Sequence, residues 1–283
     1  MSLKNTKIKS LLKQNNISPN KRLGQNFIYD FNILNKIAKF SQPFKNYNIV
    51  EIGPGPGGLS RAILDLNPTS LTLIEKDESF KSLLKELVNQ YSHIKTKIII
   101  KDFLKFDLSE ISNQPFKIIS NLPYYISTKM LMKLVPPPEN IRQMTLMFQK
   151  EVGERIIAKH CSKKYSRLSV ICQSIFDIEK KTILPATVFY PKPKIDSIVL
   201  NFTVKEQTFL HSIKNLEKIT RLAFTKRRKT IKNSLSSIEN LKTLLESINV
   251  SENMRAEELS VKDYIKLANS LDPLACNLSD KIG

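Results

Sequence analysis

Short runs rich in β-branched and aliphatic residues recur through the first part of the chain, at residues 48–52, 71–75, 97–101, 117–120 and 144–148. Stretches of helical spacing separate them, a pattern that predicts an α/β fold built on a mainly parallel sheet covered on both faces. Two further runs, 175–183 and 196–204, follow without an intervening long helix, and so could close the sheet as an antiparallel hairpin. Pro136-Pro137-Pro138 breaks the chain before the fifth strand, and Pro191 and Pro193 fix the approach to the last one. After Glu206 the strand signal stops. Leu, Ile and Lys then recur at helical spacing to about Leu271, which predicts a small all-helical domain. The expected organisation is a flexible basic segment over residues 1–20, an α/β domain over 21–206 and a helical domain over 207–283.

Charge adds a partner to this picture. Across 283 residues, 45 Lys and Arg stand against 26 Asp and Glu, a net charge of +19. An excess of this size points to a polyanion, of which nucleic acid is the commonest, although a composition rich in Lys, Ile and Asn contributes to it. Arg221, Lys226, Arg227, Arg228, Lys229 and Lys232 form an acid-free cluster in a predicted helix, and with Lys21 and Arg22 they are the candidate RNA contacts. Lys4, Lys7, Lys9 and Lys13 mark a basic start that lacks the apolar run of a signal peptide, and no stretch approaches the roughly 20 apolar residues that span a bilayer. A cytoplasmic protein without membrane attachment is expected. Cys161, Cys172, Cys276 and the three histidines are scattered, which predicts neither disulfides nor a metal centre.

The first strand runs into Glu51-Ile52-Gly53-Pro54-Gly55-Pro56-Gly57-Gly58, a glycine-rich turn suited to a nucleotide-like ligand. Gly53, Gly55 and Gly58 satisfy the pattern for NAD, while Gly53, Gly55 and Gly57 satisfy that of S-adenosylmethionine enzymes. Glu51 favours the second, since a carboxylate attracts a sulfonium and an amino group but repels a pyrophosphate. Glu75, 22 residues after Gly53, can accept ribose hydroxyls in either class. Asp102 can accept from an adenine amino group, with Phe103 against the ring. Together these residues and the antiparallel closure predict a seven-stranded Rossmann-like methyltransferase sheet, parallel except for its last strand.

The fourth strand ends in Asn121-Leu122-Pro123-Tyr124. An adenine N6 is a poor nucleophile because its lone pair is delocalised into the ring. Acceptors that draw it toward tetrahedral geometry would activate it, and the Asn121 side-chain oxygen and Leu122 carbonyl can each take one N6 proton. Pro123 biases Leu122 toward an extended conformation, and Tyr124 offers a face to an unstacked base. An arylammonium is acidic enough to lose its proton to water, so no dedicated base is required.

With residues 21–27, 189–197, 227–230 and 255–260, these motifs resemble the ribosomal RNA adenine dimethyltransferases over nearly the whole chain. The resemblance implies cofactor contacts at Asn26, Ile28, Gly53, Glu75, Asp102 and Asn121, and a second aromatic, Phe189, sandwiching the target base opposite Tyr124. It further implies a monomer that dimethylates two adjacent adenosines in a 3′-terminal hairpin loop of small-subunit ribosomal RNA, probed naked or in a partly assembled subunit, leaving S-adenosylhomocysteine. Ile28 stands where the family commonly has Leu. A related branch methylates large-subunit RNA and confers macrolide resistance; Leu122, Asp196 and residues 255–260 resemble the small-subunit branch instead. A non-catalytic assembly factor on the same fold is the other alternative, against which intact Glu51, Glu75 and Asn121 stand.

Overall fold

Nine strands form in chain order: β1 (Phe27–Ile28), β2 (Asn48–Ile52), β3 (Ser70–Glu75), β4 (Lys95–Ile100), β5 (Phe116–Ser120), β6 (Ile141–Gln149), β7 (Phe176–Leu184), β8 (Phe189–Tyr190) and β9 (Ser197–Val204). The computed structural model describes residues 12, 14–15, 17–20, 24–111, 114–121, 123–206 and 209–271. Seven strands make one sheet in the order β4-β3-β2-β5-β6-β9-β7. The pairs β2–β3, β3–β4, β2–β5 and β5–β6 are parallel, and β9 runs antiparallel to β6. The expected sheet is therefore present, with β9 set between β6 and β7. From β2 the chain moves outward to β3 on one side and returns to β5 on the other. Such a reversal opens a crevice beyond the carboxyl ends of the strands, where ligands bind in open α/β sheets.

β5 is buried along its whole length, as a central parallel strand should be, yet it contains a lysine. The Lys117 ammonium donates to the Ser41 and Pro43 carbonyls at 2.9 Å each and lies 4.5 Å from the Tyr47 ring centroid. Those partners offset its desolvation, though burial still holds its pKa below the usual lysine range. Ile49, Leu73, Ile119 and Val199 pack the same core with Ile63 and Leu84 from flanking helices.

One element had no signal in the sequence. β1 and β8 pair antiparallel, Phe27 opposite Tyr190 and Ile28 opposite Phe189, in a separate two-stranded sheet. Two residues are too few to show a period, and the partners lie far apart in the chain.

The described residues divide into two compact units, one comprising those up to Gly153 with Ile178–Val204, the other Glu154–Asp177 with Lys205 and those beyond. The segment 154–177 thus packs with the C-terminal helices, where a single cut near residue 206 was expected. Most of the basic segment 1–20 lies outside the described residues. Within it, Leu12 is 2% exposed in the core cluster and its carbonyl accepts from Ile17 N at 2.9 Å. In the second unit the helices Arg167–Ile175, Ile213–Thr225 and Val261–Ser270 enclose an aromatic column. Phe224 stacks on Tyr264 and meets Tyr165 edge-on, with centroids 5.9 and 6.0 Å apart. Among the described residues no helix is long and apolar enough to cross a membrane.

Gly153, in the helix Lys150–Ile156 that leaves β6, is fixed by its neighbour on β9: a Cβ there would fall 2.0 Å from Ile198 Cγ2. Gly153→Ala is expected to lower unfolding free energy by about 1–3 kcal/mol, measured by chemical denaturation. An Ile198→Ala background should shrink that penalty; an equal penalty in both backgrounds would contradict this cause.

Candidate active site

The turn after β2 owes its shape to two close approaches. Gly55, at φ +54°, lies so near β1 that a Cβ would stand 2.6 Å from the Phe27 ring. Gly57, at φ +83°, caps the helix Gly58–Leu64, and a Cβ there would stand 2.7 Å from Leu87 Cδ2. Side chains at either position would force the loop off its supports. Gly53 and Gly55 line a pocket at the crevice, whereas Gly57 faces the helix Lys81–Asn89 behind it.

Three carboxylates from neighbouring strand ends line the same pocket. Glu51 is 1% exposed, and its Oε2 accepts from Ser60 Oγ at 2.6 Å. Burial pushes its carboxyl up to about 8; the Ser60 hydrogen bond opposes that rise and Glu75 adds to it. Glu75 gathers backbone donors: Oε2 accepts from Gly55 N, and Oε1 from Lys76 N and Asp77 N, each at 2.8 Å. Burial raises its pKa against the pull of those three N–H groups. Asp102 differs. The Lys76 ammonium, 2.9 Å from Oδ2, holds its carboxyl below the usual range, and Oδ1 caps Leu104 N.

Asn26, Ile28, Phe103 and Asn121 complete the lining, so every residue expected to hold the cofactor except Gly57 meets in one place. Sequence reasoning gave no role to Ser60, Lys76, Gly24 or Tyr125, which do not belong to a glycine or carboxylate pattern. Lys76 adjoins Glu75 and could have been weighed on that ground. The lining suits S-adenosylmethionine: Glu75 Oε2 retains acceptor capacity for a hydroxyl, and a cationic guest would favour the ionised form of the two buried carboxyls, which a pyrophosphate would oppose.

Asn121 Nδ2 donates to the Asn26 carbonyl at 3.1 Å, which leaves Oδ1 as the atom free to accept from a substrate. Pro123 precedes the helix Tyr124–Lys133 at φ −57°, ψ 124°. The Tyr124 hydroxyl meets Ser197 Oγ at 2.6 Å, and burial keeps its pKa above the ordinary phenol value. Leu122 lies outside the described residues. Phe189 is not part of the pocket lining; it is 2% exposed in the core cluster and pairs with Ile28 across the β1–β8 ladder.

The basic cluster lies in the second unit and is not helical throughout. Lys226 ends the helix Ile213–Thr225, and Lys229 N donates to Lys226 O at 2.8 Å in a turn. Folding also brings acids to it. Arg227 pairs with Glu257 at 2.9 Å and donates to Lys163 O at 3.0 Å, and Lys232 pairs with Glu252 at 2.9 Å. Arg221, Lys226, Arg228 and Lys229 are exposed. Lys21 and Arg22 lie outside the described residues.

The sequence model of the family described as Ribosomal RNA adenine dimethylase matches residues 16–273. Ribosomal RNA small subunit methyltransferase A of Wolbachia pipientis wMel is 38% identical over 98% of this chain and 99% of its own length. The protein of that name from Rhizobium johnstonii is 37% identical over 93% and 97%. A dimethyladenosine transferase structure from Plasmodium falciparum superposes with TM-score 0.73 at 24% identity, covering 85% of this chain and 95% of that one. The 23S rRNA methyltransferase ErmE gives 0.68 at 22%, covering 87% and 99%. These two show a shared Rossmann-like methyltransferase fold.

Glu51 generates a pH prediction. In the unfolded chain it ionises near 4.5, whereas folded it keeps its proton to about 8, so between these values the folded state binds more protons. Stability is expected to fall as pH rises from 4.5 to about 8 and then level off. Chemical denaturation across that window should show a shallower slope in Glu51→Gln; an unchanged slope would refute the assignment.

Proposed function

The chain belongs to the ribosomal RNA adenine dimethylase family, and from that premise we propose that it transfers methyl groups from S-adenosylmethionine to N6 of two adjacent adenosines in a 3′-terminal hairpin loop of small-subunit (16S) ribosomal RNA. Full-length likeness at 37–39% identity to proteins named Ribosomal RNA small subunit methyltransferase A supports this substrate over the large-subunit alternative. The observation that carries the chemistry is the tether between Asn121 and the Asn26 carbonyl. It occupies the amide nitrogen and leaves the oxygen to accept, on a residue that lines the same pocket as the three carboxylates.

Bound S-adenosylmethionine supplies an electrophilic methyl group. Glu75 would take its ribose hydroxyls, Asp102 its adenine amino group and Glu51 its cationic portion, with Asn26, Ile28, Gly53, Gly55 and Phe103 against the remainder. Asn121 Oδ1 accepts one proton of the target N6, and the Leu122 carbonyl the other, localising the nitrogen lone pair for attack. Tyr124, fixed by Ser197, supports the extruded adenine, and the excess proton passes to water. After the first transfer N6 retains one proton, so the second proceeds with one of the two acceptor bonds. Arg221, Lys226, Arg228 and Lys229 meet RNA phosphates, while Arg227 and Lys232 already face the carboxylates of Glu257 and Glu252. The enzyme acts as a cytoplasmic monomer on a partly assembled small subunit.

The test uses labelled cofactor with unmethylated small- and large-subunit particles, followed by nuclease digestion and mass analysis. Dimethyladenosine is expected in small-subunit RNA; label in large-subunit RNA would sink the reading. Asn121→Ala should slow single-turnover methylation about 100- to 1,000-fold, as loss of one polarising partner does elsewhere, with cofactor affinity little changed.

Replacing Arg221, Lys226, Arg228 and Lys229 by Gln should lower the log–log salt slope of RNA binding by about 3 units. An unaltered slope would move the phosphate contacts elsewhere.

A further inference from the structure

Tyr124 and Tyr125 are consecutive at the start of one helix, so their side chains leave it about 100° apart. Tyr124 turns inward to Ser197. Tyr125 lines the same pocket yet remains 55% exposed. Its ring is not loose. At Gly24, which sits at φ +61°, a Cβ would fall 2.9 Å from Tyr125 Cδ1 and 3.7 Å from Pro123 Cβ, so the ring packs on bare backbone. Lys76, which lines the same pocket, is half exposed and paired with Asp102. A packed aromatic surface, half exposed on the lining of the pocket, has the character of a single-strand stacking subsite.

We infer that Tyr125 is the stacking platform for the nucleobase adjacent to the adenine being methylated. Extruding one base deprives its neighbour of a stacking partner, and the Tyr125 ring replaces it. Stacking of this kind accepts any base, so it holds the strand without selecting sequence. The inference rests on the reading that the pocket receives an adenine of RNA.

Single-turnover methylation of unmethylated small-subunit particles, with particle concentration varied, tests it in Tyr125→Ala, Tyr125→Leu and Tyr125→Phe. Ala and Leu should raise the half-saturating particle concentration about 5- to 100-fold, and Phe should stay within about twofold of the parent. Cofactor affinity by calorimetry should not move. A hairpin-loop RNA carrying 2-aminopurine beside the target adenine should be quenched on binding the parent and the Phe variant but not the Ala or Leu variants. Unchanged particle dependence and quenching in Ala and Leu would overturn the platform while leaving the methyltransferase reading intact, as would a loss confined to cofactor affinity. Failure of the parent protein to methylate either particle would instead overturn that reading, and quenching would then decide on Tyr125 alone.

Discussion

A single buried carboxylate organises the ligand-binding end of the sheet. Glu75 gathers the N–H groups of Gly55, Lys76 and Asp77, and so joins the turn after β2 to the turn after β3. Loop N–H groups withdrawn from solvent need acceptors as much as any strand does, and three of them find one here. The cost is a partly desolvated acid beside a second one, Glu51. The pocket thereby has a built-in preference for a guest that carries hydroxyls and positive charge.

Much of this was legible from residue order. The five parallel strands, the glycine turn and the acids at successive strand ends have short-range signatures: an apolar run, an absent side chain, a charge at a run's end. What the sequence concealed depends on contacts between distant segments. Leu12 reads as part of a lysine-rich arm, yet it fills a gap in the core. Phe189 gives no hint in the sequence of its two-residue pairing with β1 or of its burial. The stretch from Lys226 to Lys232 looks acid-free because Glu257 and Glu252 reach Arg227 and Lys232 from 30 and 20 residues downstream.

The same contrast separates the two kinds of basic residue. Arg227 and Lys232 lie in the motif that suggests nucleic acid, but their charges are already matched by carboxylates. Ion pairs this exposed contribute little to stability, and they reduce the positive field available to a phosphate. Any pull of the second unit on a phosphate would therefore come from Arg221, Lys226, Arg228 and Lys229, which are exposed.

The pairing of β1 with β8 reaches further than its size suggests. Phe27 presses on the turn at Gly55 while its backbone faces Tyr190, and the adjoining Asn26 carbonyl holds the Asn121 amide. One short strand and its neighbour thus touch the glycine turn, the Asn121 amide and the strap leading to Ser197. Detaching it would remove a support from all three at once, so a two-residue ladder couples the turn at Gly55 to the amide of Asn121.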